Sequence, residues 1–224
     1  MTELAKEFSQ VVAARKSVRA FKPEPLSEQL LAQIFSAALR APSNCNTQPW
    51  QVHVASGERL EVLRERMPAD FMAGKMTIDF PYDGVYEGVY KERQYGSAQA
   101  LYDSMGIKRE EKQKRQASFM RNFTFFDAPH VAFLFLPAPL GLREACDLGM
   151  YAQTLMLSMV AHGAACCPQT ALSFQCDLVR EVLEVDASNK LLFGISFGYE
   201  VEEAPVNSCH TDRGGLADIV HFHS

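Results

Sequence analysis

The sequence predicts an α+β fold, and three of its features carry that expectation. Residues 130–136 form a nearly continuous apolar run between Pro129 and Pro137, the pattern of a strand buried on both faces and so central in a sheet. Helical and strand-like periodicities interleave along the chain without the regular βαβ rhythm of a doubly wound parallel sheet. The glycine signatures that open such sheets, GxGxxG and GxxxxGK[ST], are absent, and so is the zinc motif HExxH.

Leu4, Phe8, Val11 and Val12 recur at helical spacing and predict an amphipathic helix ending near Arg15. Ser27 is placed to cap a second helix; Leu26 and Leu31 stand where a hydrophobic staple closes, and Leu30, Leu31, Ile34, Phe35 and Ala38 share one face. That helix must end before Pro42. Residues 51–55 alternate as a strand and break at Ser56-Gly57, after which 58–67 read as a short charged helix. Between 68 and 85 the periodicity weakens around Gly74, Pro81 and Gly84, which predicts an irregular or mobile segment. Helical pieces resume over 86–104, with Gly106 as a stop, and over 109–121, so that 68–121 form a helical, lid-like excursion. The central strand is followed by a buried helix within 148–167, a piece over 164–172, a helix around 177–183 and a strand over 191–199. The tail ends in an apolar, strand-like stretch, 219–222, suited to pairing with a partner.

Composition narrows the function. A chain of 224 residues with 47% hydrophobic and 22% charged residues can bury one large core, so a single domain over 1–224 is expected. A formal charge of −5 argues against a nucleic-acid surface, which needs a basic stripe to neutralise phosphates. The opening MTELAKEFSQVVAARK lacks a signal-peptide apolar region, which points to the cytoplasm. The apolar stretch 148–167 contains Gln153, Ser158 and His162 and follows Glu144 and Asp147, so it reads as a core helix rather than a membrane span. Six cysteines without CxxC spacing predict free thiols, most of them buried, rather than a disulfide framework.

Two constellations could carry chemistry. Arg15-Lys16-Ser17-Val18-Arg19 places three cations and a hydroxyl in five residues; a solvated charge cluster accounts for it, and so does an anion site, because guanidinium forks match phosphate oxygens. Ala41-Pro-Ser-Asn-Cys-Asn-Thr-Gln-Pro-Trp50 sets Ser43, Asn44, Asn46, Thr47 and Gln48 between two prolines ahead of the only tryptophan, more polar functionality than a simple turn requires.

In these two stretches the chain resembles the FMN-dependent nitroreductase family, with its R-x-S-x-R segment followed, after one helix, by an A-P-S-x-x-N-x-Q-P-W loop. Further matches are Phe126-Asp-Ala-Pro129, Asp147-Leu-Gly149, Cys167-Pro-Gln169, Gly194-Ile-Ser-Phe-Gly-Tyr199 and Arg213, which spread the resemblance over essentially the whole chain. It implies a mixed sheet sandwiched by helices in an interlocked homodimer with exchanged C-terminal strands and FMN bound across the interface. By resemblance, Arg15 and Arg213 hold the FMN phosphate with Ser17 as donor, and Arg19 lies beside the flavin pyrimidine edge. Lys16 contacts the ribityl chain or contributes backbone. Pro42, Ser43, Asn44 and Asn46 come from the other subunit, and Pro168, Gln169 and Thr170 lie along the ring.

The implied activity is electron transfer from NADH or NADPH to a small acceptor such as a nitroaromatic or quinone, with ping-pong kinetics and the flavin N5, not a protein residue, carrying the chemistry. Two departures stand out: Asn44 replaces a frequent glycine and was expected to take up a constrained left-handed turn, and Thr211 replaces a frequent second cation near Arg213, with His210 as a weak substitute. Phe71, Met72, Tyr82, Tyr86 and Tyr90 are candidates for an acceptor-facing lid, although aromatic residues at helical spacing also simply pack. His53, His130 and His162 lack metal-ligand spacing, so no metal is expected. Competing readings are another flavin reaction on the same scaffold (reductive dehalogenation, enone reduction or flavin breakdown), a flavin-binding protein without turnover, or a cysteine-based enzyme around Cys45 or Cys166.

Overall fold

The structure is a computed structural model that describes residues 2–224. Its centre is an antiparallel sheet of four strands, β1 (Gln51–Ser56), β2 (His130–Pro137), β3 (Ala165–Gln169) and β4 (Asn189–Gly198), in the order β1-β2-β4-β3. The apolar run of β2 is buried on both faces, as its sequence predicts, and alternation divides it between two cores. Val131, Phe133 and Phe135 face one helical layer, while Ala132, Leu134 and Leu136 face the other. Each fully buried aliphatic or aromatic side chain contributes about 1.5–3 kcal/mol, so this strand alone anchors both sides of the sandwich.

On the first face lie α3 (Gly57–Met72), through Leu60, Leu63 and Met67, and α7 (Cys176–Leu183), through Leu178, Val179 and Val182. On the second lie α2 (Glu28–Ala38) and α6 (Leu142–Ala161), whose Ile34, Ala38, Leu148, Tyr151, Leu155 and Met159 close the core. The Ser27 cap forms as expected, its Oγ accepting the Leu30 N–H at 3.2 Å. The opening helix α1 (Glu3–Ala14) ends at Arg15, but Leu4, Phe8 and Val12 on its apolar stripe remain exposed.

The middle of the chain departs from the sequence-based boundaries. The helix expected to stop at Met67 continues through Pro68 to Met72, because burial of Leu60, Leu63 and Met67 outweighs the proline and Gln175 Nε2 ties down the Met67 carbonyl at 2.7 Å. The stretch after it is irregular but anchored. Thr77 bridges to Gln175, and the Asp79 carboxylate receives two hydrogen bonds from Arg180, at 2.6 and 3.1 Å, and one from the Leu191 N–H at 2.7 Å. Burial pushes the Asp79 carboxyl upward, yet these donors outweigh it and hold it below the ordinary carboxylate range. The excursion then continues in α4 (Gly88–Ser104) and α5 (Lys112–Met120), both slightly shorter than the periodicity suggests.

The tail does not form the strand expected over 219–222. Leu216–Ile219 make one helical turn, α8, and the residues after it have no regular structure in the single chain. A lone β-strand has no hydrogen-bonding partner there, so the local capping interaction of Asp218 with the Gly215 N–H, at 3.2 Å, decides the conformation.

Two glycines of the Gly194–Tyr199 stretch are explained by close approach. A Cβ on Gly198 would lie 2.6 Å from Pro129 Cδ, and one on Gly194 2.6 Å from Leu172 Cδ1. The turn ahead of β2 is also unusual: Phe125, Phe126 and Asp127 all have positive φ, of 60°, 54° and 66°. Burial of both phenylalanines, with Arg64 donating to the carbonyls of Thr124 and Ala128, holds it in place.

Candidate functional site

The end of α1 and the end of the chain meet at a cleft of about 660 Å³. Arg15 is the residue at which α1 gives way to extended backbone, and Ser17 and Val18 then run beside β3, with the Val18 N–H donating to the Cys166 carbonyl at 3.0 Å. This places Arg15, Lys16, Ser17 and Arg19 on one wall. Gln153 and Met156 of α6, Ser97 of α4 and Pro168 of β3 complete the interior, and Cys209, His210, Thr211 and Arg213 close it from the tail.

Asn207 joins the two walls. Its side chain is buried; Oδ1 accepts the Arg19 N–H at 2.7 Å, and Nδ2 donates to the carbonyls of Ala20 and Val201, each at 2.9 Å. Its own carbonyl accepts from Lys16 Nζ at 2.9 Å. Lys16 is further committed to Glu200, 2.7 Å away, so its charge is neutralised within the protein. The other three cations are different: among the described residues none of Arg15, Arg19 and Arg213 has a carboxylate within ion-pair distance. Arg19 Nη1 reaches only the Ser17 carbonyl, at 3.2 Å, and Arg213 Nη1 folds onto Thr211 and the Asp212 carbonyl. Three guanidiniums lining one cleft without counter-charge make a local positive field that an anion would neutralise.

The family model described as "Nitroreductase family" matches residues 12–199. The chain belongs to the nitroreductase family. The chain is 42% identical to nitroreductase NfnB of Mycolicibacterium smegmatis over 98% of its own length and 94% of that protein. It is 34% identical to 4-nitrobenzoate reductase of Pseudomonas putida, covering 99% of this chain and 98% of the other. In structure it is similar to the FMN-dependent nitroreductase NfnB from Mycobacterium smegmatis, solved in complex with NADPH, with a TM-score of 0.95 at 42% identity over 99% of this chain and 100% of that one.

The remaining candidate residues fall into groups. Pro168 lines the cleft, but the Gln169 side chain is buried, donating to the Asn122 carbonyl and Oδ1 at 3.0 and 3.2 Å and accepting from Ser196 Oγ; only its backbone is free to serve a ligand. Thr170 opens a short 3₁₀ turn, 170–174, at the edge of β3. Pro42, Ser43, Asn44 and Asn46 do not line the cleft of their own chain. Their loop is braced by the Asn44 N–H on Asp147, at 3.1 Å, by the Gln48 N–H on Ser43 Oγ, at 2.9 Å, and by Trp50 stacked on Tyr151 with ring centroids 5.0 Å apart. The left-handed backbone expected at Asn44 falls instead on Cys45, Asn46 and Gln48. Asn44 opens the 3₁₀ turn 44–46, where its N–H is aimed at Asp147.

The five lid candidates do not act as one group. Phe71 is packed in an aromatic cluster, 4.4 Å from Phe123 and 5.8 Å from Phe119 between centroids. Tyr82 and Tyr86 share a shallow surface depression with Ile78 and Pro81, and Tyr82 leans on Phe174. Met72 and Tyr90 are exposed. The histidines have structural surroundings: His130 accepts the Leu26 N–H at Nε2, which assigns its proton to Nδ1 facing Ser56, and burial lowers its pKa. Among the described residues no group of metal-ligating side chains comes together. All six cysteines are free; burial pushes the Cys166 thiol up to about 12 and Cys167 to about 11, so neither is a ready nucleophile and a mechanism based on Cys166 is disfavoured. Sequence reading missed Asn207, which lies in no motif and is visible only through its four contacts.

Proposed function

We propose that this chain is an FMN-dependent oxidoreductase that carries electrons from NADPH or NADH to a small acceptor such as a nitroaromatic or a quinone. The observation that carries this reading is the convergence of Arg15, Arg19 and Arg213, unpaired, with Ser17 around one cleft in a chain that shares its fold with FMN-dependent nitroreductase NfnB. A phosphorylated planar cofactor fits that donor set. Arg15 and Arg213 hold its phosphate, with the Ser17 hydroxyl as a neutral donor. Arg19 stands at the pyrimidine edge, where positive charge favours acceptance of electrons. Lys16 contributes its backbone, its ammonium being committed to Glu200 and Asn207.

When bound, FMN would supply the redox chemistry between the nicotinamide donor and the acceptor. That chemistry requires no nucleophile or general acid from the protein. The protein fixes the cofactor's orientation through the two cleft walls and leaves one face open to successive partners. Donor and acceptor therefore use one slot in turn, and initial rates at several acceptor concentrations are expected to give parallel double-reciprocal lines. Intersecting lines would contradict a shared slot.

The whole chain, 1–224, acts as one FMN-binding domain, with 68–121 as an excursion that covers the acceptor. Within it we assign Tyr82 and Tyr86 to the acceptor, a reading supported by the surface depression they share, while Phe71 is packed against Phe119 and Phe123. Tyr86→Ala is expected to alter kcat/KM among nitroaromatics and quinones several-fold at unchanged FMN content. Equal ratios for every acceptor would reduce the excursion to packing.

The working unit is a homodimer in the cytoplasm. Phe8 is 60% exposed and Phe222 84% exposed, apolar surface that a second copy would bury, and Pro42, Ser43, Asn44 and Asn46 then reach the partner's cofactor. Six free cysteines suit a reducing compartment, and among the described residues no helix is long and apolar enough to cross a membrane. Light scattering that gives a monomer mass for the flavin-loaded protein would overturn the dimer.

A further inference from the structure

A second group of unpaired cations lies away from the cofactor cleft, between α4 and α5. Tyr95, Gln99 and Tyr102 of α4 enclose, with Arg109 and Arg115, a cavity of about 350 Å³. Helical geometry puts it on the far side of α4 from Ser97, the α4 residue that lines the cofactor cleft. The Arg115 guanidinium lies over the Tyr102 ring, 4.6 Å from its centroid. Its Nη1 donates to the Arg109 carbonyl at 3.3 Å, while its Nε is buried without a partner. Among the described residues neither arginine has a carboxylate within ion-pair distance. The nearby acids are engaged elsewhere, Glu111 with Lys114 and the Lys108 N–H, and Asp103 with Gln99.

We propose that this cavity is a binding site for a phosphorylated nucleoside. Two guanidiniums without counter-charge lining one cavity match the oxygens of a phosphate dianion. The exposed Tyr95 ring adds aromatic surface for a planar base. The volume lies at the lower end of the range for small-molecule sites, so a bare phosphate would leave most of it empty. The same chemistry has two sources: the phosphorylated adenosine half of NADPH, or a free nucleotide acting apart from turnover. The site follows from the α4–α5 geometry and does not depend on the reductase reading.

The test uses the full-length protein as purified with its cofactor, titrated calorimetrically with 2′,5′-ADP in the absence of any electron acceptor. Saturable binding that weakens with salt is expected, together with a loss of at least tenfold in both Arg109→Gln and Arg115→Gln at unchanged flavin content. Arg109 is exposed and makes no side-chain contact that folding requires, so its variant keeps the test sound if Arg115→Gln misfolds. No binding by the wild type, or equal binding by both folded variants, overturns the site. Where binding is lost, a KM raised for NADPH but not for NADH, at constant kcat, assigns the ligand to the electron donor. Unchanged donor kinetics assign it to a free nucleotide.

Discussion

Replacing Asn207 by alanine tests how the two ends of the chain are held to make one cleft. The side chain makes three hydrogen bonds, one accepted from the Arg19 N–H and two donated to the carbonyls of Ala20 and Val201. Both carbonyls keep another partner, because Ala20 also accepts the Val201 N–H and Val201 the Ala204 N–H. Only the Arg19 N–H is orphaned. Losing three bonds at a net contribution of about 0.5–1.5 kcal/mol each, with one unsatisfied donor partly offset by water, gives a destabilisation of about 2–4 kcal/mol. For a chain of this size that lowers Tm by roughly 5–12 °C. Because Arg19 loses its anchor, FMN affinity should also fall about tenfold, equivalent to roughly 1.4 kcal/mol. Urea denaturation of the apoprotein and fluorescence titration with FMN measure the two effects separately. Asn207→Asp keeps the acceptor for Arg19 but sets a carboxylate against two carbonyls, so it should be at least as unstable as the alanine variant. A Asn207→Ala protein within about 0.5 kcal/mol of wild type and unchanged in FMN affinity would refute the reasoning.

Other expectations follow from separate parts of the molecule. Arg15→Ala and Arg213→Ala should each weaken FMN binding by about 1.5–3 kcal/mol while leaving riboflavin affinity nearly unchanged, since only the former ligand carries the phosphate; equal losses for both would move the phosphate elsewhere. Gly198→Ala drives a Cβ to 2.6 Å from Pro129 Cδ, a ring that cannot swing aside, and should cost about 1–3 kcal/mol in denaturant titrations. Burial lowers the pKa of both His130 and His53 below 6.5, so the unfolded chain binds more protons there; stability measured by urea should be level at pH 7.5 and decline as pH falls through about 6.5. Stability that rises over that window would mean the histidines are charged in the fold. Deleting 214–224 should lower dimer stability and FMN content together, and a flavin-replete dimer after truncation would remove the tail from the interface.

Much of the fold is legible because local signals and burial agree. The uninterrupted apolar run of β2 needs cover on both faces, the Ser27 cap marks α2, and Gly106, with φ of +63°, stops the chain after α4 as its position suggests. The sequence misleads where tertiary packing overrides a local signal. Pro68 does not stop α3, since Met67 beneath it is fully buried, and the β-branched tail residues Ile219 and Val220 find no strand to pair with inside their own chain. At the site, the basic segment was visible as residue types, but which of its cations are available was not. Lys16 is spent on Glu200, a partner far along the sequence, and Asn207 organises the cleft from a stretch with no motif. Gln169 shows the same limit: its side chain is held by Asn122 and Ser196, which leaves only its backbone free for a ligand.

The most direct test of the central claim is the absorption spectrum of the purified protein under anaerobic conditions, first alone, then with NADPH or NADH, then with 4-nitrobenzoate. A yellow protein with a flavin spectrum is expected, bleached stoichiometrically by at least one nucleotide and restored by the nitro compound. A colourless protein that takes up no FMN on reconstitution, or a flavin band that neither nucleotide can bleach, would contradict it.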